Sequence, residues 1–308
     1  MQRAMNKIVI VTRRTALQEL IRKYNTAEQA KFYIEHIGAD FSDYVKEDKN
    51  YTNAVDIVKK FAEQNGRLQI VDRSFVPSMI FGKDDIVIAV GQDGLVANVM
   101  KYLDTQPLIG VNPDPARFDG ILLPFKPKDM LRLLPDVIKG TRKYREITMA
   151  LAETRDGQEL YGVNDIFVGQ KTHVSARYEL NFNGKTENQS SSGIIFSTGL
   201  GSTGWYRSII AEAERIAAVY GKTFIKYKPT DWDADMLMYT VREPYPSKFT
   251  QAKIVHGILK KGEEFKITSR MPENGVIFSD GIEEDNIQFN AGTEITIKVA
   301  DKKGRLII

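Results

Sequence analysis

Asp85-Ile86-Val87-Ile88-Ala89-Val90-Gly91-Gln92-Asp93-Gly94-Leu95-Val96-Ala97-Asn98-Val99-Met100 is the stretch that decides how this chain folds. Its first six residues form an apolar run rich in β-branched side chains. A strand apolar on both faces is covered on both sides, which is the situation of a parallel sheet. From Leu95 onward, Val96, Val99, Met100 and Leu103 recur at helical spacing. A strand, a glycine-containing turn and a helix in direct succession put Gly91-Gln92-Asp93-Gly94 at the carboxyl edge of the sheet and at a helix N-terminus. Open α/β sheets bind ligands at that edge, and the free N–H groups of a helix N-terminus attract phosphate. Two glycines let a ligand approach the backbone closely. A carboxylate in such a cradle would repel an anion, so Asp93 has two readings. It removes a proton from a hydroxyl that attacks a phosphoryl group, or holds Mg2+ between phosphates; or it merely caps the helix. Position alone leaves both open.

The same rhythm extends outward. Lys7-Ile8-Val9-Ile10-Val11-Thr12 reads as a buried strand. Thr26 is placed to cap a helix through Ala27, Ala30, Ile34 and Ile37, ended by Gly38. Ala54, Ile57, Val58, Phe61 and Ala62 mark one buried face of a further helix, stopping near Asn65-Gly66. Leu68 to Val71 and Pro107 to Val111 complete the strands. Residues 1–142 therefore read as a Rossmann-like α/β domain with a parallel sheet. The pattern changes between Gly140 and Arg145, and residues 143–308 read as an all-β, sandwich-like domain. Its strands are expected at Glu146 to Ala152, Asp165 to Gly169, Ala176 to Phe182, Met236 to Val241, Lys253 to Leu259, Glu264 to Thr268, Gly275 to Ser279 and Glu294 to Val299. Asn183-Gly184 is a strong hairpin signal. One helix interrupts, from Trp205 to Tyr220, with Ile209, Ile210, Ala213, Ile216 and Ala217 expected on its inner side.

Composition bounds the chemistry. At 308 residues the chain is too long for one ordinary core, and a net charge of +3 is too mild to imply nucleic acid. The absence of cysteine excludes disulfides, zinc-thiolate sites and thiol nucleophiles. His36, His173 and His256 are the only histidines, too few for a histidine-rich metal site, and His173 lies in a polar, solvated stretch. The start Met1-Gln2-Arg3-Ala4-Met5-Asn6-Lys7 has no apolar signal core behind it, and no apolar run reaches the roughly 18 residues of a membrane span. A cytoplasmic protein without membrane contact is the expectation. The charge runs Lys46-Glu47-Asp48-Lys49 and Asp301-Lys302-Lys303-Gly304-Arg305 read as solvated surface.

Further segments, in order, complete a pattern that resembles the NAD kinase family. That family's Gly-Gly-Asp-Gly-Thr turn is here Gly91-Gln92-Asp93-Gly94-Leu95, and its Asn-Glu pair is here Asn164-Asp165. Its Ser-Thr-Pro-Thr-Gly-Ser-Thr-Ala-Tyr segment is here Ser197-Thr198-Gly199-Leu200-Gly201-Ser202-Thr203-Gly204-Trp205. Asn112-Pro113-Asp114-Pro115 and Trp205 look closer to the mitochondrial-type branch, and Asp280-Gly281 falls where the family has a related pair, although alone it reads as a plain turn. The resemblance implies a kinase moving a phosphoryl group from ATP, with Mg2+, to the 2′-hydroxyl of the adenosine ribose of NAD. It makes Asp93 the general base and Gly91, Gln92 and Gly94 its nucleotide-binding turn. It makes Asn164, Asp165, Thr198, Gly201, Ser202, Thr203, Gly204, Trp205 and Ser208 nucleotide-binding residues, with the last few around the adenine. No residue is singled out as a metal ligand. The resemblance also implies a homodimer or higher homo-oligomer.

Other readings remain. Gln92 stands where the family has glycine, which raises a weakly active, NAD-binding homologue if that position needs φ > 0 or close phosphate approach. Lipid kinases share a similar aspartate turn, so a lipid or sugar hydroxyl is a possible acceptor. Gly199-Leu200-Gly201-Ser202-Thr203-Gly204 also fits the dinucleotide fingerprint of an oxidoreductase. It sits in the β-rich half, however, and Thr223-Phe224-Ile225-Lys226-Tyr227-Lys228 supplies no acidic residue for a ribose.

Overall fold

The structure is a computed structural model that describes residues 6–222 and 227–308; the opening residues Met1 to Met5, and residues 223–226 of the stretch without an acidic partner for a ribose, lie outside them. The chain divides into two compact units, Met1–Arg145 with Arg305–Ile308, and Glu146–Gly304.

The first unit runs β1 (Lys7–Thr12), α1 (Ala16–Tyr24), α2 (Ala27–His36), α3 (Phe41–Asn65), β2 (Arg67–Asp72), β3 (Ile86–Val90), α4 (Asp93–Met100), β4 (Pro107–Val111) and α5 (Met130–Ile138). The strands lie in the order β2-β1-β3-β4, all parallel, and Arg305 and Leu306 pair parallel with Pro107 and Leu108 beyond β4. Every residue of β3 is buried, as its uninterrupted apolar run requires. Ile8, Ile10, Ile88 and Val90 pack with Tyr51, Ala54 and Val58 of α3 and with Leu134 of α5.

Helix α3 is longer than its apolar signal, because its first half turns polar residues inward. Its buried positions are Glu47, Tyr51, Ala54, Val58 and Ala62, one continuous helical stripe. This corrects the reading of Lys46-Glu47-Asp48-Lys49 as solvated surface. Glu47 is buried and its carboxylate pairs with the Arg13 guanidinium at 2.7 Å, while Asp48 accepts from the Thr15 hydroxyl at 2.6 Å. The physical reason is the short link after β1. It brings Arg13 and the capping box of α1, Thr15 with Gln18, against the start of α3. The sequence reading had no helix at α1.

The second unit continues with β5 (Tyr144–Thr154), whose first two residues belong to the first unit, β6 (Glu159–Gly162), β7 (Asp165–Gln170), β8 (Ala176–Phe182), β9 (Lys185–Ser191), β10 (Ile194–Ser197), α6 (Trp205–Val219), β11 (Met236–Val241), β12 (His256–Lys260), β13 (Phe265–Ser269), β14 (Gly275–Ser279), β15 (Ile282–Gln288) and β16 (Glu294–Ile307). One sheet has the order β12-β11-β10-β7-β14-β15, antiparallel throughout. In the other, β16-β13-β8-β9 pair in sequence, β5 pairs with β16 and β6 pairs with β5. Inward residues of both form one core, including Tyr178, Phe196, Tyr239, Phe265 and Ile295, so the expected sandwich is present. Asn183 (φ 50°) and Gly184 (φ 72°) make the β8–β9 turn with the two positive φ values that a type I′ hairpin needs.

Two expectations change here. Helix α6 buries Tyr206 alone; Ile209 packs partly against Phe167, Ile195 and Val276, but Ile216 is 55% exposed. Its helical periodicity is real, yet the sheet covers only its first turns. Lys253 and Ile254 precede β12 rather than opening it, because their N–H groups are taken by the buried Glu187 carboxylate at 2.8 and 3.3 Å.

Removing one partner of a buried ion pair strands the other charge. Glu47→Ala is therefore expected to lower the unfolding free energy by about 3 kcal/mol, read by urea denaturation. A loss within about 0.5 kcal/mol would instead mark a surface position.

Candidate functional site

Within the first unit the Gly91-to-Gly94 turn is held from several sides. The Gly91 N–H donates to Val111 O at 3.1 Å, tying the end of β3 to the end of β4. The Tyr51 hydroxyl donates to Val90 O at 3.0 Å and accepts from the Arg13 N–H at 2.8 Å. Burial of this phenol pushes its pKa up to about 12, so it remains a donor.

Helix α4 begins at Asp93, with Gln92 as a cap residue whose side chain makes no capping bond. Asp93 is thus not the cap, and the capping reading is corrected. Its carboxylate Oδ1 instead accepts from the Leu122 N–H at 2.6 Å, which leaves the second oxygen with no bonding partner among the described residues. Leu122 can come this close because residue 110 is glycine: a Cβ there would lie 1.9 Å from Leu122 O. Gln92 has φ −113°, ordinary extended backbone, so glycine is not required at this position and the conformational objection to Gln92 falls. Leu95 is buried, and its side chain lies against Gly91, where a Cβ would meet it at 2.9 Å. Gly94 has no atom within 4 Å of its Cβ position and is the open glycine of the pair. The Asn112-to-Pro115 segment is braced internally: Asn112 accepts from the Asp114 N–H and donates to Phe118 O, both at 3.0 Å.

Within the second unit, three predicted segments meet. The Thr198 N–H donates to Asn164 O at 2.9 Å, and its hydroxyl donates to Val163 O at 2.6 Å. Gly201 packs so closely that a Cβ would sit 1.9 Å from Asn164 O, and at Gly199 it would sit 1.8 Å from Asp231 O. The first two glycines of the fingerprint-like stretch therefore serve close approach between loops of this chain. That removes the geometric basis for reading it as a dinucleotide turn. Ser202 is buried, its hydroxyl donating to Gly199 O at 2.6 Å and accepting from the Thr230 N–H at 3.1 Å. Thr203, Gly204 and Ser208 are exposed, and Gly204 precedes α6 with no side-chain cap over the helix N-terminus. Trp205 stacks on Phe167 at 5.6 Å between ring centroids, with the Arg242 guanidinium 5.3 Å from the indole. It borders a cavity of about 310 Å³ that includes Phe278 and His173, and another of about 660 Å³ along α6. His173 is exposed.

Asn164 and Asp165 separate in character. The half-buried Asn164 amide side chain has no hydrogen-bond partner among the described residues. The Asp165 carboxyl is 6% exposed, and burial first, then the Asp280 charge, push its pKa up to about 7.

Asp280, in the pair that falls where the family has a related one but alone reads as a plain turn, joins this arrangement. At φ 55°, it turns its carboxylate back so that Oδ1 accepts from the N–H groups of Val163, Asn164 and Asp165 at 3.0, 2.6 and 3.3 Å. An Asp-Gly pair after a strand signals a turn. Which N–H groups its carboxylate reaches depends on the neighbouring β7, 115 residues away in sequence.

An acid whose pKa is raised on folding binds its proton more tightly in the folded state. The stability tied to Asp165 is thus full below its ordinary value of 3.8 and falls as pH rises to about 7. Asp165→Asn keeps the neutral form at every pH. Relative to wild type it is expected to gain about 2–4 kcal/mol between pH 4 and pH 8.5 in denaturant titrations. A pH-independent difference would contradict the raised value.

No protein-family model matches the chain. It is similar to a probable NADH kinase of Oryza sativa subsp. japonica, 23% identical over 237 residues, covering 69% of this chain and 68% of that protein. Among solved structures it is similar to yeast NADH kinase complexed with NADH, at TM-score 0.60 and 15% identity, over 99% of this chain and 84% of that one. It is also similar to an NAD kinase from Archaeoglobus fulgidus in complex with ATP, at TM-score 0.56 and 13% identity, over 98% of this chain and 93% of that one. The chain has the two-unit fold of these kinases, and the resemblance drawn from its motifs points to the same proteins.

Proposed function

We propose that this chain is an NAD kinase: it transfers the terminal phosphoryl group of ATP to the 2′-hydroxyl of the adenosine ribose of NAD, giving NADP. The observation that carries this reading is the Asp93 carboxylate, held by the Leu122 N–H at the first turn of α4, in a chain with the fold of kinases solved with NADH and with ATP. In phosphoryl transfer the protein contributes mainly position and electrostatics. One carboxylate oxygen fixed by Leu122 orients the other, which accepts the ribose hydroxyl proton as the hydroxyl oxygen bonds to phosphorus and ADP leaves. The open Gly94 and the α4 N-terminus form a cradle for phosphate. Asn164, Thr203, Gly204, Trp205 and Ser208 are assigned to the nucleotide, and Thr198, Gly201 and Ser202 to the loop that presents it.

Among the described residues no group of three or more His, Asp or Glu side chains is placed to hold a metal ion. Mg2+ is assigned to the phosphates of ATP, with Asp93 the carboxylate of the turn that could join it. Mg2+ neutralises phosphate charge when bound.

Two other readings keep a role in the test. A lipid or sugar acceptor would use the same turn, and a weakly active NAD-binding homologue would follow if Gln92 crowds the donor. Placement in the mitochondrial-type branch rests on Asn112-Pro113-Asp114-Pro115 and Trp205. Among the described residues no helix is long and apolar enough to cross a membrane, and a cytoplasmic location is kept as part of the proposal. A homodimer or larger homo-oligomer is supported by the exposed Ile216, Val219 and Tyr220 of and after α6. A one-chain mass in light scattering would contradict it.

With NAD, ATP and Mg2+, wild type is expected to form NADP, and Asp93→Asn to lower kcat by about 10²–10⁴-fold with folding unchanged. Full activity in the variant would remove Asp93 as base. A wild type active on lipids or sugars but not on NAD would overturn the acceptor. Because Gln92 already lies in extended backbone, Gln92→Gly is expected to leave kcat within about threefold, under 1 kcal/mol of barrier. A rise of tenfold or more would show that the side chain obstructs the donor.

A further inference from the structure

We infer that Asp280 is a positioning residue for the nucleotide: its carboxylate clamps the Val163-Asn164-Asp165 backbone and so fixes how Asn164 is presented. This rests on the kinase reading and assigns a role to a residue outside the expected site.

Three successive N–H groups converge on one carboxylate oxygen, and Val163 also reaches the second oxygen at 3.1 Å. Such a cluster of backbone donors is a concavity for an anion, and here the anion comes from the chain itself. The clamp is reciprocal, since the Asp280 N–H donates to Asp165 O at 3.1 Å. Asp280 adopts φ 55°, a left-handed conformation costly for a residue with a Cβ, and adjacent Gly281 (φ 71°) completes the turn. The strain is held in place because β14 pairs with β7 on one side and β15 on the other, setting the turn beside the start of β7.

On the opposite side, Thr198 binds the carbonyls of Val163 and Asn164. The N–H groups of Val163, Asn164 and Asp165 thus go to Asp280, and the carbonyls of Val163 and Asn164 to Thr198. With its backbone fixed from both sides, Asn164 retains its side-chain amide for a ligand. Asp165 faces inward, and the group whose charge acts on its carboxyl is Asp280. Its partner positions across the sheet are neutral: Ser197 is paired opposite it on β10, and Ser279 pairs with the adjacent Ile166 on β14. Removing the Asp280 charge while keeping its shape should therefore also ease ionisation of Asp165.

The test compares wild type, Asp280→Asn and Asp280→Ala by calorimetric titration with NAD and, separately, with Mg-ATP. Hydrogen exchange at the Val163, Asn164 and Asp165 amides, and the 13C carboxyl titration of Asp165, are read alongside. Asp280→Ala is expected to weaken NAD binding by about tenfold or more, the scale of a lost charge-assisted hydrogen bond, with Mg-ATP binding within about twofold. In Asp280→Ala the three amides should lose protection, and in Asp280→Asn, which keeps an acceptor oxygen but not the charge, the Asp165 midpoint should fall. If Asp280→Ala does not fold, Asp280→Gly, which suits the φ of 55°, takes its place. Unchanged NAD affinity in a folded variant that lacks the carboxylate and its acceptor oxygen, or equal weakening of NAD and Mg-ATP in step with a lower melting temperature, overturns the inference. A wild type that binds no NAD defeats the kinase reading. The exchange data then still decide the clamp, since equal amide protection in wild type and in a folded variant lacking the carboxylate overturns it.

Discussion

The hydrogen bond from the Leu122 N–H to the Asp93 carboxylate is the constraint on which the candidate chemistry depends. A carboxylate at a helix N-terminus normally turns back to cap the helix. Here the cap position belongs to Gln92, and Asp93 is turned outward to a loop that follows β4. That arrangement needs three conditions at once. The end of β3 must be fixed to β4, which the Gly91-to-Val111 bond does; Tyr51 must hold Val90 O; and residue 110 must lack a side chain so that Leu122 can approach. A base that is already oriented needs little reorganisation when a hydroxyl arrives, which is how position alone lowers a barrier.

The second unit solves a related problem by different means. Its loops are bound to each other largely through backbone groups, with Thr198, Ser202 and Asp280 among the side chains that join them. Gly199 and Gly201 are explained by neighbouring carbonyls rather than by a ligand. For that reason a fingerprint-like spacing occurs without a dinucleotide turn.

What could be read from the sequence was what local chemistry dictates. The β3 strand, the turn and α4 follow from an apolar run, two glycines and helical spacing, and the β8–β9 hairpin from Asn183-Gly184. Three features were hidden because their cause is distant in sequence. Glu47 looks solvated until Arg13, 34 residues earlier, is folded against it. Helix α6 has an apolar stripe, but the pattern does not reveal how little of it the sheet covers. Asp280 reads as an ordinary turn because its partners lie on β7 and in the loop before it. The end of β16 is a fourth case: Arg305 and Leu306 pair with β4 in the first unit, and nothing in the residues themselves announces that return.

The position of the transferred phosphoryl group tests the central claim most directly. Product from NAD and ATP, purified and examined by 31P–1H correlation NMR, is predicted to show phosphorus coupled to H2′ of the adenosine ribose. Coupling to H3′, to the nicotinamide ribose, or to no proton of the dinucleotide would contradict it.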